Sequence, residues 1–401
     1  MELFLAIVSL IVSIYALYKR KIDEICIKRR KRLYKVSLRD TYAWLCRYYI
    51  KTKDVTLYQC KLKNDYIIPF IVKKEWLHSI DLKSVNKPIL KYSNLDNKST
   101  LSDKQLDLII DKKEHWGQTL FNGKTLCINK NTIDNETIFY TEVAYFDLAG
   151  CVIEYENETY KAINSHFSKT PLRDKFLSNI ETIMDGTLSR RISLGGSVVT
   201  CMKRKEGPYN ILLHKRSNNV ITARGAKSII PQFGFESINQ REIDSFSEIK
   251  YPYVGLIFYN IIKEFVEELF NYEELIQNIG AKKIMGKFSE IEEIKILIDA
   301  YNKNQLKIIY LGHGFEMLIG TKILSFLLLI EDEDISEKLI SNFDINWEID
   351  NIRESIEMIE LSKSGISLLD NYQKNGELTS SSSFALSRAF EWLSSNKYII
   401  I

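Results

Sequence analysis

Lys263-Glu264-Phe265-Val266-Glu267-Glu268 is the stretch on which the reading of this chain turns. Glu264, Glu267 and Glu268 stand at i, i+3 and i+4, which puts three carboxylates on one face of a helix. Like charges at that spacing repel, so helix stability alone does not ask for them. A divalent cation does: hard oxygen ligands on a rigid helix suit Mg²⁺ or Mn²⁺. Phe265 and Leu269, also four apart, turn the opposite face toward a core. The plainer alternative is a solvated face, because Glu is a good helix former.

Working upstream, the helix is preceded by a loop and then by Ile229-Ile230-Pro231-Gln232-Phe233-Gly234-Phe235-Glu236. Before that comes a strand-like run, Asn210-Ile211-Leu212-Leu213-His214-Lys215-Arg216-Ser217. This order resembles the Nudix hydrolases, whose helix signature reads R-E-U-x-E-E-x-G-U (U apolar) after a Gly-containing turn and another Glu. The resemblance implies an α/β/α sandwich. It also implies that Glu264, Glu267 and Glu268 carry Mg²⁺ (or Mn²⁺) and act catalytically, helping to activate water against a diphosphate. Glu236 matches the glutamate before the helix loosely. With Lys215 and Arg216, it is a candidate ligand contact; an exposed cation at a strand end is the alternative for the two basic residues. Lys263 stands where the family has Arg, and Phe270-Asn271 where it has Gly and an apolar residue. Gln232-Phe233 replaces a frequent Gly-Gly, and residues 237–253 read as an insertion. A fourth ligand is expected from Glu316 or from Glu331-Asp332-Glu333-Asp334, the latter also readable as a solvated turn. Trp116 to Lys124 and Tyr145 to Gly150 are similar to a pre-domain of Nudix proteins that cleave nucleotide sugars.

The other end of the chain points to a bilayer. Leu3 to Tyr18 carries no charge. As a helix it is about 24 Å long, and Lys19 and Arg20 extend its reach by snorkelling. A signal peptide fits less well: Glu2 precedes the apolar run, and no small-x-small cleavage site follows. Lys19, Arg20, Lys21, Lys28, Arg29, Arg30, Lys31, Arg32, Lys35 and Arg39 face only Asp23 and Glu24. The positive-inside rule keeps that cluster cytoplasmic, and anionic headgroups suit it. The expectation is a single-pass protein of the inner membrane with its soluble body in the cytoplasm.

The rest of the composition narrows the classes. A net charge of +3 argues against a stable nucleic-acid partner. The six cysteines form no C-x-x-C or zinc pattern, which suits reduced, buried thiols. The five histidines are scattered, and none belongs to a triad. His313, between Gly312 and Gly314, reads as a structural residue in a turn.

Four segments follow: a transmembrane helix (1–18), a basic juxtamembrane helical segment (19–56), an accessory α+β domain (57–190) and a Nudix-like domain (191–401). Strands are expected near 55–62, 66–72, 137–145, 150–153, 195–202, 210–214, 308–311, 315–319 and 322–330. Helices are expected over 172–183, 254–270, 335–341, 348–361 and 384–393, with a serine-rich loop at 379–383.

Two nucleotide-handling functions are open. One is an Mg²⁺-dependent hydrolase acting on a nucleoside diphosphate linked to another group. The other is a sensor that binds a cyclic oligonucleotide and clusters as a homo-oligomer in the bilayer. An anchored Nudix-type domain resembles the membrane-bound Nudix effectors of bacterial cyclic-oligonucleotide (CBASS) anti-phage systems. A membrane scaffold is the third possibility.

Overall fold

The apolar runs at Ser193–Lys203 and Thr321–Ile330 lie side by side and parallel, forming the centre of a mixed sheet. The structure is a computed structural model that describes residues 12–22, 36–53, 55–93, 102–116, 123–128, 137–165, 169–184, 190–216, 223, 225–237, 253–270, 272, 291–343 and 356–399. The first elements are helix α1 (12–22), helix α2 (Leu38–Lys53) and strands β1 (Gln59–Lys61), β2 (Asp65–Ile67), β3 (Phe70–Ile71), β4 (Ile80–Asp81) and β5 (Leu90–Tyr92). Next come α3 (Asp103–Trp116), β6 (Lys124–Ile128), β7 (Ile138–Ala144), α4 (Tyr145–Ser165), α5 (Pro171–Phe176) and α6 (Ile180–Met184). The third stretch holds β8 (Ser193–Lys203), β9 (Tyr209–Lys215), β10 (Lys227–Ile229), β11 (Gln232–Gly234), α7 (Gly255–Phe270) and α8 (Glu292–Asn302). It ends with β12 (Leu306–Glu316), β13 (Thr321–Ile330), α9 (Glu333–Ser341), β14 (Ile356–Glu360), α10 (Lys363–Asn375) and α11 (Ser380–Ser395).

The main sheet runs β3-β12-β13-β8-β6-β7-β5. β9 and β11 also pair with β8, β10 and β14 pair with β9, and β4 pairs with β12. Alternation along the central strands sorts side chains to two faces. Leu194, Val198 and Met202 of β8 join Leu324, Phe326 and Leu328 of β13 in a core that includes α7 and α8. Val199 and Cys201 join Leu327 and Leu329 in a second core, closed by Phe384, Ala385, Leu386 and Leu393 of α11. Helices therefore cover both faces of the sheet. Strands β3 to β7 continue the same sheet, since β3 and β4 pair with β12 and β6 pairs with β8, whereas β1 and β2 pair with each other as a separate two-stranded sheet.

Several segments differ from the sequence expectation. Residues 150–153 are not a strand but lie inside α4, whose buried face (Leu148, Ile153, Tyr155) overrides their short apolar signal. The helix expected over 348–361 is replaced at its end by β14, which pairs with β9 from Ile356↔His214 to Glu360↔Asn210. Its earlier residues, 348–355, lie outside the described residues. The serine-rich loop is the first turn of α11: Thr379 caps it, its side chain accepting from the Ser382 N–H. The two strands expected between 308 and 319 are one strand, β12, with a register shift between Tyr310 and Gly312. Gly312 has φ +106°, and a Cβ there would run into the Trp76 carbonyl oxygen, so only glycine suits this bulge.

At the membrane end, α1 exposes Val12, Ile14, Tyr15, Leu17 and Tyr18. Among the described residues no helix is long and apolar enough to cross a membrane. Residues 1–11 of the expected span lie outside the described residues.

Candidate functional site

The acidic helix face is built where β11 hands the chain over to α7. Phe235 O accepts from Leu126 N–H at 3.0 Å and from Thr125 Oγ1 at 2.9 Å, which pins the segment after β11 to β6. Asn260, one turn before Glu264, receives the Glu236 N–H on Oδ1 at 2.8 Å. Its Nδ2 donates back to Glu236 O at 3.3 Å. Asn260 therefore holds Glu236 over the helix.

Between these carboxylates sits Lys263, whose side chain is only 3% exposed. Its Nζ is 3.2 Å from Glu236 Oε2, 3.2 Å from Glu264 Oε1 and 2.8 Å from Glu267 Oε2. Burial pulls the ammonium pKa down, but the Glu264, Glu267 and Glu236 charges outweigh it and hold it well above the usual lysine value. Burial also pushes the Glu264 carboxyl well above the usual carboxylate range, against the pull of Lys263.

Glu268 faces elsewhere. It is buried, and its Oε1 accepts from the Gln232 backbone N–H at 3.3 Å. The Gln232 side chain leads on to the start of α11: Nε2 donates to Ser197 Oγ at 3.0 Å, Ser381 Oγ at 3.0 Å and Ser382 Oγ at 3.1 Å. In the same turn, Ser380 N–H donates to Tyr42 Oη at 2.7 Å, and Ser380 Oγ donates to Glu316. Burial raises the Glu316 pKa, partly offset by the Ser380 hydrogen bond and by the Arg216 charge.

The basic candidates diverge. Lys215 is exposed at the end of β9. Arg216 is half-buried, and its Nε is buried with no hydrogen-bond partner. His214, on β9, is 4% exposed, and neither ring nitrogen has a partner. It lies opposite Ser228 in the β9–β10 register, and Ser228 Oγ in turn contacts Ser382 Oγ. Burial, helped by the Arg216 charge, pushes the His214 pKa down to about 3.

The structure thus brings together Glu236, Glu264 and Glu267 around Lys263. Glu268 joins the polar network leading to α11, and Arg216 is coupled to Glu316 and Tyr42 there. Of the other acidic candidates, Asp332 caps α9 and Glu331 pairs with Lys307, so both have structural partners. His313 is not in a turn but buried in β12, hydrogen-bonded to Tyr310, with its ring 4.6 Å from that of Trp76 and tilted by 35°. Asp147 of the Tyr145-Phe146-Asp147 segment pairs with Arg191. Sequence reasoning missed Lys263, Gln232, Ser380 and Tyr42 as members of the site. The Lys263–Glu267 spacing of four was the one local signal available.

The chain matches no family model and no curated protein. Among the described residues no group of three or more His, Cys, Asp or Glu side chains is arranged to hold a metal ion. In this arrangement Glu264 and Glu267 hold an ammonium and Glu268 holds a backbone N–H, so the residues present do not fit a divalent-metal cage.

Proposed function

We propose that this chain is a membrane-anchored, Nudix-like nucleotide-sensing effector of the bacterial cyclic-oligonucleotide (CBASS) anti-phage type, acting at the inner membrane when its ligand binds. The observation that carries this reading is the pair of unsatisfied groups at the end of β9, Arg216 Nε and the His214 ring nitrogens. Buried polar atoms without partners are uncommon and call for a reason. A guanidinium is a planar fork that matches a phosphate with two hydrogen bonds. Its charge is felt by Glu316 and Tyr42, both of which hydrogen-bond Ser380 in the first turn of α11. A nucleotide phosphate is the ligand group that this chemistry suits.

The anchor supplies the output. The apolar side chains exposed on α1 call for a covering surface, and a bilayer provides one. Ligand-driven clustering of the soluble bodies then brings anchors together, an outcome for which hydrolysis has no need. The second reading, a Mg²⁺-dependent diphosphate hydrolase, has the spacing of Glu264, Glu267 and Glu268 along one helix in its support, but Glu268 faces Gln232 while Glu264 and Glu267 hold Lys263.

Arg216 separates a ligand site from a strand-end charge. Binding of cyclic di- and trinucleotides to the full chain in detergent is expected to weaken about tenfold or more in Arg216→Ala, as for loss of a charge-assisted hydrogen bond. Lys215→Ala, at an exposed position, is expected to change it little. Equal affinity of Arg216→Ala and wild type for every nucleotide that binds would remove Arg216 from the site.

A further inference from the structure

We infer that Lys263 is a cation built into the protein in place of a divalent metal, so that the acidic face of α7 is complete without Mg²⁺ or Mn²⁺. The inference is independent of the nucleotide-sensing reading. An ammonium has three N–H donors. Three carboxylates meet it, from Glu236, Glu264 and Glu267, at 2.8 to 3.2 Å. Two of the donors are given to Glu264 and Glu267, Glu236 completes the set as an ion pair, and the nitrogen occupies the point at which the three acids converge.

The spacing suits nitrogen rather than a metal. Mg²⁺ takes oxygen at about 2.0–2.1 Å, so a metal at this point needs the carboxylates to close in by nearly an ångström. Lys263 and Glu264 share the backbone of α7, and Asn260 fixes Glu236 on the same helix. The lysine therefore cannot swing out without leaving three acids facing one another in a largely buried place. Like charges in such a site are costly unless a cation compensates them. The Lys263 charge persists throughout the physiological pH range, because the surrounding carboxylates hold its proton. Glu236, 48% exposed, leaves a route from solvent by which an ion can enter once the lysine is gone.

The test uses the full chain in detergent with Mn²⁺ as the probe, read by electron paramagnetic resonance and by thermal unfolding. Wild type is expected to hold no Mn²⁺ that Glu267→Gln removes, and its midpoint is expected to be the same with Mn²⁺ or with EDTA. Lys263→Met keeps the length of the side chain and removes the charge. Its midpoint is expected to fall in EDTA and to rise by about 4 °C when Mn²⁺ is well above its Kd. Adding Glu267→Gln to that variant is expected to abolish the rise. If Lys263→Met does not fold, Lys263→Met/Glu264→Gln carries the same comparison with one buried acid fewer. A wild-type Mn²⁺ site that disappears in Glu267→Gln would overturn the inference. So would lysine-free variants that fold but bind no Mn²⁺.

Discussion

Arg173→Ala is expected to lower stability by about 3–5 kcal/mol, which in a chain of this size lowers the unfolding midpoint by about 5 °C. Arg173, at the start of α5, is fully buried at 0% exposure. Its Nη2 donates to Leu318 O at 2.6 Å, to Thr159 Oγ1 at 2.6 Å and to Tyr155 O at 3.2 Å. Nε donates to Thr159 Oγ1 at 3.0 Å, and Nη1 donates to Tyr49 Oη at 3.1 Å and to Met317 O. One guanidinium thus joins α2, α4 and the turn between β12 and β13. Two backbone N–H groups at the same place, those of Leu172 and Arg173, donate to Glu158. Truncation leaves several buried acceptors unpaired and a void among them. Arg173→Lys is expected to recover little, because one ammonium cannot reach acceptors spread over a planar fork. Thermal unfolding of the full chain in detergent reads both variants. A wild-type midpoint for Arg173→Ala would show that these helices are held to the sheet by apolar packing alone.

His214 is expected to make the protein acid-sensitive. Its folded pKa is near 3, against an ordinary value of 6.5. Between those values the unfolded chain binds a proton that the folded chain does not. Stability contributed by the neutral ring is therefore present above about pH 6.5 and falls as the pH drops toward 3, by about 2 kcal/mol at pH 5. The raised pKa of Glu316 acts in the opposite sense, its ionisation costing stability as the pH rises. A difference between two variants cancels that contribution. His214→Leu is expected to lose less stability than wild type between pH 8 and pH 5, by that same amount. Parallel curves for the two proteins would show that the ring is already protonated, or solvated, in the folded state.

The sequence makes the centre of the sheet and α7 legible, because their signals are local. The apolar runs of β8, β9 and β13 have few rivals, and Phe265, Leu269 and the glutamates divide α7 into two faces. β14 was hidden because Glu357, Met358 and Glu360 are good helix formers, and its strand state comes from pairing with β9. The first turn of α11 was hidden because serines are weak helix formers. The Thr379 cap and the contacts of Ser381 and Ser382 with Gln232 stabilise it there. The role of Lys263 was half legible. Glu267 is one turn away, but Glu236 lies on another element, and only the fold brings it over the helix. Arg216 can be named from its strand, whereas His214 reads only as one of five scattered histidines. That their nitrogens lack partners is a property of packing that no spacing reveals.

Nucleotide recognition without turnover is the proposed property that separates a sensor from a hydrolase. The direct measurement incubates the full chain in lipid nanodiscs with cyclic di- and trinucleotides and with diphosphate-linked nucleosides, in the presence of Mg²⁺. Bound ligand and released nucleoside monophosphate are both quantified, for wild type and for Glu267→Gln/Glu268→Gln. A cyclic nucleotide is expected to bind and drive oligomers, while no diphosphate-linked substrate is cleaved by either protein. Mg²⁺-dependent release of a nucleoside monophosphate that collapses in the double variant would contradict the sensor reading and establish the hydrolase.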